Sequence, residues 1–163
     1  MPEPSTVHST FVIERSYPKP PARVFSAFSD PAKKRRWFAE GEGHDIDEFQ
    51  SDFCIGGVER VRYRFREGSP FPGVLLTNDG RFQDIVPERR IVMASTMDLG
   101  DKRISASLVT IEFLPAAGGT ELICTHQGTF LEGADGPKMR EAGWRKLLDN
   151  LAVELAREAA TAQ

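Results

Sequence analysis

The last third of the chain sets the strongest constraint on its fold. A strand-like segment, GGTELICTHQGTF at 118–130, runs into a stretch with helical periodicity: from Gly143 onward Trp144, Leu147, Leu148, Leu151, Ala152 and Leu155 fall on one stripe. A helix with a single apolar face holds only when that face is covered. The upstream sequence supplies strands to cover it. The expected class is therefore α+β, an antiparallel sheet gripping a C-terminal helix, with room for a ligand cavity between the two layers.

The strands are read from their alternation. Residues 7–17 place Phe11, Ile13 and Tyr17 on one side and Val12, Glu14 and Ser16 on the other, and Pro18, Pro20 and Pro21 stop the strand. Residues 22–28 read as a short helix with Val24, Phe25 and Phe28 inward, and Asp30 before Pro31 caps a second one carrying Trp37 and Phe38. The acidic stretch 40–52 reads as a loop and an exposed second strand. In 58–66 the period is strictly two, with Arg60, Arg62, Arg64 and Arg66 on one face and Val61, Tyr63 and Phe65 on the other. One face must be wet, because four guanidinium groups cannot be buried without partners. A Gly/Pro loop at 68–73 precedes strands expected at 80–86, 91–97, 105–114 and 118–130. The order is one strand, two short helices, six strands and a long helix, giving a curved seven-stranded antiparallel sheet wrapped around the helix.

At 163 residues the chain suits one core, expected over 7–160 behind a flexible arm at 1–6. A core of this size needs no disulfide or metal. Cys54 and Cys124 have no CxxC spacing and are expected to be reduced, packed thiols. A net charge of −3 argues against nucleic acid as a partner. The N-terminal residues resemble no signal peptide and no apolar run is long enough to span a membrane, so a cytoplasmic location is expected. Exposed sheet edges allow a homodimer without requiring one.

The order of elements and several segments resemble the START-like superfamily, also called SRPBCC or helix-grip, typified by the birch-pollen allergen and polyketide cyclase domains. The segments are ARVFSAFSDPAKKRRWF at 22–38, CIGG at 54–57, GRFQDIVPERRIV at 80–92, SLVTIEFLPAAGGTEL at 107–122 and GWRKLLDNLA at 143–152. Within that superfamily the chain is most similar to the activators of the heat-shock ATPase and their bacterial relatives. The pattern departs at His126, where such relatives often carry Glu. The resemblance implies the helix-grip fold over nearly the whole chain, whereas activity does not follow from a fold that hosts binders, cyclases, hydrolases and co-chaperones. The Gly56–Gly57 pair is expected at a bulge or tight bend and Gly118–Gly119 in a hairpin.

Catalytic motifs are missing from the sequence: no GxSxG, HExxH or phosphate-binding loop occurs, and GEGHDI at 41–46 lacks the third glycine of a dinucleotide fingerprint. No cofactor and no metal are expected. The acidic loop with Asp45, Asp47 and Glu48 lacks the pattern of a calcium loop, and the basic run Lys33 to Arg36 reads as a solubilising surface. The aromatics carry more information. Trp37, Phe38, Phe53, Tyr63, Phe65, Phe82, Phe113, Phe130 and Trp144 are expected to converge between sheet and helix, joined by Met93 and Leu148. Tyr63 and His126 would be polar handles, with Asp84 a third if the Phe82 face is inward. These residues point to a protein that binds a small hydrophobic or aromatic molecule. Two readings compete with it: a polyketide cyclase- or hydrolase-like enzyme with His126 as general base beside Tyr63, and a co-chaperone-like module that meets a protein partner through the arginine face.

Overall fold

The structure, a computed structural model, describes residues 5–161; most of the arm expected at 1–6 lies outside the described residues. The elements are β1 (Val7–Tyr17), α1 (Pro21–Ser29), α2 (Pro31–Lys34), a wide π-helical turn (Arg35–Ala39), β2 (His44–Ser51), β3 (Val58–Phe65), β4 (Leu75–Val86), β5 (Arg90–Leu99), β6 (Lys102–Ala116), β7 (Gly119–Phe130) and α3 (Pro137–Thr161). The seven strands form one antiparallel sheet in the order β1-β7-β6-β5-β4-β3-β2. β2 to β7 is a simple meander. The two edge strands, β1 and β2, are consecutive in the chain, so the short helices between them carry the backbone across the whole sheet.

Local chemistry places the helices as expected. The Asp30 carboxylate accepts the Ala32 N–H at 3.0 Å, and Pro31 opens α2. Val24, Phe25, Ala27 and Phe28 bury one face of α1. The Trp37 indole then donates to the Ala27 carbonyl at 2.8 Å, locking the π-helical turn beneath α1.

α3 is held by polar anchors as well as by its stripe. The Tyr17 hydroxyl donates to the Leu148 carbonyl at 2.8 Å, and Arg36 grips the buried Glu154 carboxylate through bonds of 2.9 and 2.7 Å. Leu148, Leu151 and Leu155 are buried in a core shared with Ile13, Val24, Phe113, Leu122 and Cys124. Trp144 and Leu147 are half-buried, and Ala152, at the edge of the stripe, is exposed.

Several details depart from the sequence reading. β4 begins at Leu75 rather than near Gly80, because its inward positions include Asn78 and Gly80, which hide the alternation. α3 begins at Pro137, since Arg140 stands four residues before Trp144 on the same face and masks the stripe. The basic run is not a uniform wet surface: Lys34 is buried against Glu59. Cys54 is exposed, and only Cys124 is packed.

In each of the two glycine pairs one residue supplies a left-handed turn and the other a close approach. Gly56 and Gly118 have φ of +85° and +83°, and a Cβ on Gly57 or Gly119 would lie 2.0 Å from the Asp52 carbonyl oxygen or 1.9 Å from that of Tyr17. Among the described residues no helix is long and apolar enough to cross a membrane.

Candidate ligand cavity

The stripe of α3 meets two different surfaces. Its C-terminal half lies on solid core, while its N-terminal half stands over β3, β4 and β5 and encloses a cavity of about 550 Å³, within the range that holds small organic ligands. Val61, Tyr63 and Phe65 of β3, Leu76 and Asn78 of β4, Met97 and Leu99 of β5 and Ile104 of β6 form its floor and wall. Met139, Arg140, Gly143, Trp144 and Leu147 form the roof, residues 133–135 close one side, and Pro70 and Phe71 of the Gly/Pro loop edge it.

The polar groups are few. Arg140, 8% exposed, donates from Nε and Nη2 to the two oxygens of Asp135, each at 2.8 Å, and from Nη2 to Ser105 Oγ at 3.0 Å. Its guanidinium carbon lies 5.1 Å above the Phe130 ring, so the cation rests on an aromatic face. Tyr63 is covered by the tilted ring of His44 at 4.1 Å and met edge-on by Phe65 at 5.5 Å. His44 is itself fixed by donating from Nε2 to the Ala39 carbonyl at 2.7 Å. Burial raises the Tyr63 phenol above its ordinary pKa, with Arg140 pulling the other way, so the hydroxyl stays protonated at neutral pH and can donate.

Phe38 and Trp144, ring centroids 5.9 Å apart, separate this cavity from a void of about 30 Å³ bounded by Lys34, Glu59, Asn78, Met93 and Ser95 among others. That void has room for about one water molecule. A different concavity, broad and open to solvent, lies on the outer faces of β1, β7 and β6 around Thr10, Leu108 and Gln127.

Of the expected ligand-binding residues, Phe38, Tyr63, Phe65 and Trp144 line the cavity, and Met93 lines the small void behind it. Trp37, Phe53, Phe82, Phe113 and Leu148 are core instead: Phe53 meets Phe25 and Phe82 edge-on, Phe113 meets Phe25 and Phe28, and Leu148 is sealed under α3. Phe130 supports Arg140 from below. Asp84 faces outward and pairs with Arg90 at 2.6 Å, because a bulge between Phe82 and Asp84 breaks the alternation and turns Ile85 toward the core. His126 is 1% exposed, lies flat on Phe11 at 4.6 Å and is absent from the cavity lining. Burial, reinforced by the Arg140 charge, lowers its pKa to about 4, so it is neutral at neutral pH.

The arginine face is answered from within. Arg66 pairs with Asp45 at 2.6 Å, Arg64 with Asp47 at 3.2 Å and Arg60 with Asp79 at 3.0 Å, while Glu48 reaches Arg60 and Arg62 at 3.8 and 3.9 Å. Asp45, Asp47 and Glu48 of the acidic stretch thus serve as cross-strand partners of the arginine row.

Sequence reasoning missed Arg140, Asp135, Asn78, Leu76, Met97, Leu99 and Ile104 as lining residues. One signal for Arg140 was present, a cation at the stripe position four residues before Trp144.

Comparison with known proteins agrees with this architecture. Residues 18–156 match the family described as Activator of Hsp90 ATPase homolog 1-like protein. A solved structure from Rhizobium leguminosarum is 41% identical, with a TM-score of 0.87 over 94% of this chain and 97% of that one. One from Rhizobium loti is 47% identical, with a TM-score of 0.82 over 92% and 99%. An AHSA1-like protein from Aeromonas hydrophila shares the fold at 22% identity, with a TM-score of 0.67 over 95% and 96%. No curated protein matches the chain. With nearly its whole length matched in sequence and in fold, the chain belongs to the Activator of Hsp90 ATPase homolog 1-like family, on the helix-grip architecture.

Proposed function

We propose that this protein binds a small apolar or aromatic molecule in the cavity under the N-terminal half of α3. The observation that carries the reading is the cavity itself: about 550 Å³, walled mainly by aliphatic and aromatic side chains, with a short set of polar groups at Arg140, Asp135, Tyr63 and Asn78. An interior otherwise packed to its usual density leaves such a space only where side chains fail to meet.

Binding is favoured over catalysis because His126, the residue best suited to general-base work, is sealed beneath Phe11 away from the cavity lining, and its lowered pKa makes it a weak base. The arginine face offers less to a protein partner than the sequence suggests, since its charges are already met by carboxylates of β2 and β4.

Nuclear magnetic resonance with 2-acetylnaphthalene as probe tests the reading. Shift changes are expected to gather at Leu76, Met97, Leu99, Ile104 and Trp144. Changes confined to Thr10, Leu108 and Gln127 on the outer face, or no saturable change at all, would overturn it.

A further inference from the structure

Resting on the reading above and deepening it, we propose that the cavity selects an uncharged apolar molecule bearing a carbonyl oxygen, such as an aryl ketone, over the matching carboxylic acid, with Arg140 and Tyr63 donating to that oxygen.

The argument begins with the donors of Arg140. A guanidinium has five N–H groups. Those that bond here belong to Nε and Nη2, which serve Asp135 and Ser105. Among the described residues the two donors of Nη1 meet no acceptor, although the side chain is more than nine-tenths buried and lines the cavity. The Tyr63 hydroxyl, which lines the same cavity close enough to Arg140 to feel its charge, likewise makes no hydrogen bond among the described residues. Neither donor is a sealed, stranded group; both face the open space of the cavity, so a ligand that brings an acceptor can take a hydrogen bond there that the protein itself leaves unused.

Charge decides which acceptor. Asp135 holds Arg140 by two bonds in the fork geometry, so the pair is neutral as a unit. An entering carboxylate would share one guanidinium with Asp135 and leave a net negative charge among Phe65, Leu76, Leu99 and Ile104, where burying an uncompensated ion is expensive. A carbonyl oxygen asks only for donors. One further cation stands at the rim, Lys102, whose ammonium lies beside Gly133; it is exposed, and Glu132 feels its charge, so it does not supply a buried counter-ion.

The test measures affinity for three probes of one shape, 2-acetylnaphthalene, 2-naphthoate and 2-isopropylnaphthalene. In the wild type the ketone should bind about tenfold more tightly than the hydrocarbon, the worth of a well-made hydrogen bond, and more tightly than the naphthoate. Asp135→Asn leaves Arg140 its charge without a counter-charge and should bring naphthoate ahead of the ketone. Tyr63→Phe should reduce the ketone's advantage while sparing the hydrocarbon. Equal affinity for ketone and hydrocarbon, or naphthoate binding best in the wild type, would overturn the selection while leaving the apolar cavity in place. Failure of all three probes to bind would overturn the binding function itself. The wild-type ranking and Tyr63→Phe decide the question if Asp135→Asn folds poorly.

Discussion

The ammonium of Lys34 sits 3.2 Å from the carboxylate of Glu59, and the two side chains are only 4% and 2% exposed. Around the ammonium stand the rings of Phe38 at 4.4 Å, Phe28 at 5.3 Å and Trp37 at 5.4 Å, and Ser51 donates to the second Glu59 oxygen at 3.1 Å. This pair ties the end of α2 to β3 behind the Phe38–Trp144 wall, so the wall of the cavity depends on it.

Glu59→Ala should therefore cost about 3–5 kcal/mol, because it strands a buried cation. Replacing both partners, as Lys34→Met with Glu59→Leu, should recover most of that loss. Urea denaturation checks the difference; a double variant as unstable as the single one would mean that the pair does not act as a unit.

A second prediction concerns acid. His126 has a pKa of about 4 in the folded protein against 6.5 ordinarily. Below about pH 6.5 the unfolded chain takes up a proton that the folded protein refuses, so this contribution to stability is complete above that pH and is lost as pH falls toward 4. The loss amounts to about 3 kcal/mol. In His126→Leu, which also removes the unpartnered Nδ1, the fall in unfolding midpoint between pH 7 and pH 4.5 should be shallower than in the wild type. Parallel curves for the two proteins would contradict the assignment.

The two tryptophans give an internal optical control. Trp37 is 1% exposed in the core, whereas Trp144 lines the cavity. A bound aromatic ketone should quench Trp144, which it touches, more strongly than Trp37, which stands one ring behind the wall, so the fractional loss of emission should be larger in Trp37→Phe than in Trp144→Phe. The reverse order would place the ligand elsewhere.

Backbone packing predicts opposite outcomes at two glycines. Gly119→Ala drives a Cβ into the Tyr17 carbonyl and should cost about 3 kcal/mol or more, as the β1–β7 edge must shift. At Gly143 a Cβ meets nothing within 4 Å, and Gly143→Ala should stabilise α3 by up to about 1 kcal/mol. Thermal unfolding of both variants reads the sign directly.

The frame was legible in the sequence wherever side chains obey a simple period. β1, β3, β6 and β7 alternate cleanly, and Leu148, Leu151 and Leu155 announce the face of α3. The cavity was less legible because it interrupts those periods. Asn78 and Gly80 occupy inward positions of β4 that a filled core would give to apolar side chains, and Arg140 does the same on α3. Asp84 was misplaced by one bulge, which no alternation rule anticipates. The aromatics were read as one group although the structure divides them. Phe38, Tyr63, Phe65 and Trp144 face the space, while Trp37, Phe53, Phe82 and Phe113 fill the core, and membership depends on strand position along the curved sheet.

The most direct measurement of the central claim is calorimetric titration of 2-acetylnaphthalene into the wild type and into Gly143→Leu, which adds a bulky side chain at a cavity-lining helix position with open space around it. The account predicts saturable one-site binding by the wild type, at least about tenfold weaker in the variant, with an unfolding midpoint for the variant no lower than that of the wild type. Equal affinity in the two proteins, or no binding by the wild type, would contradict it.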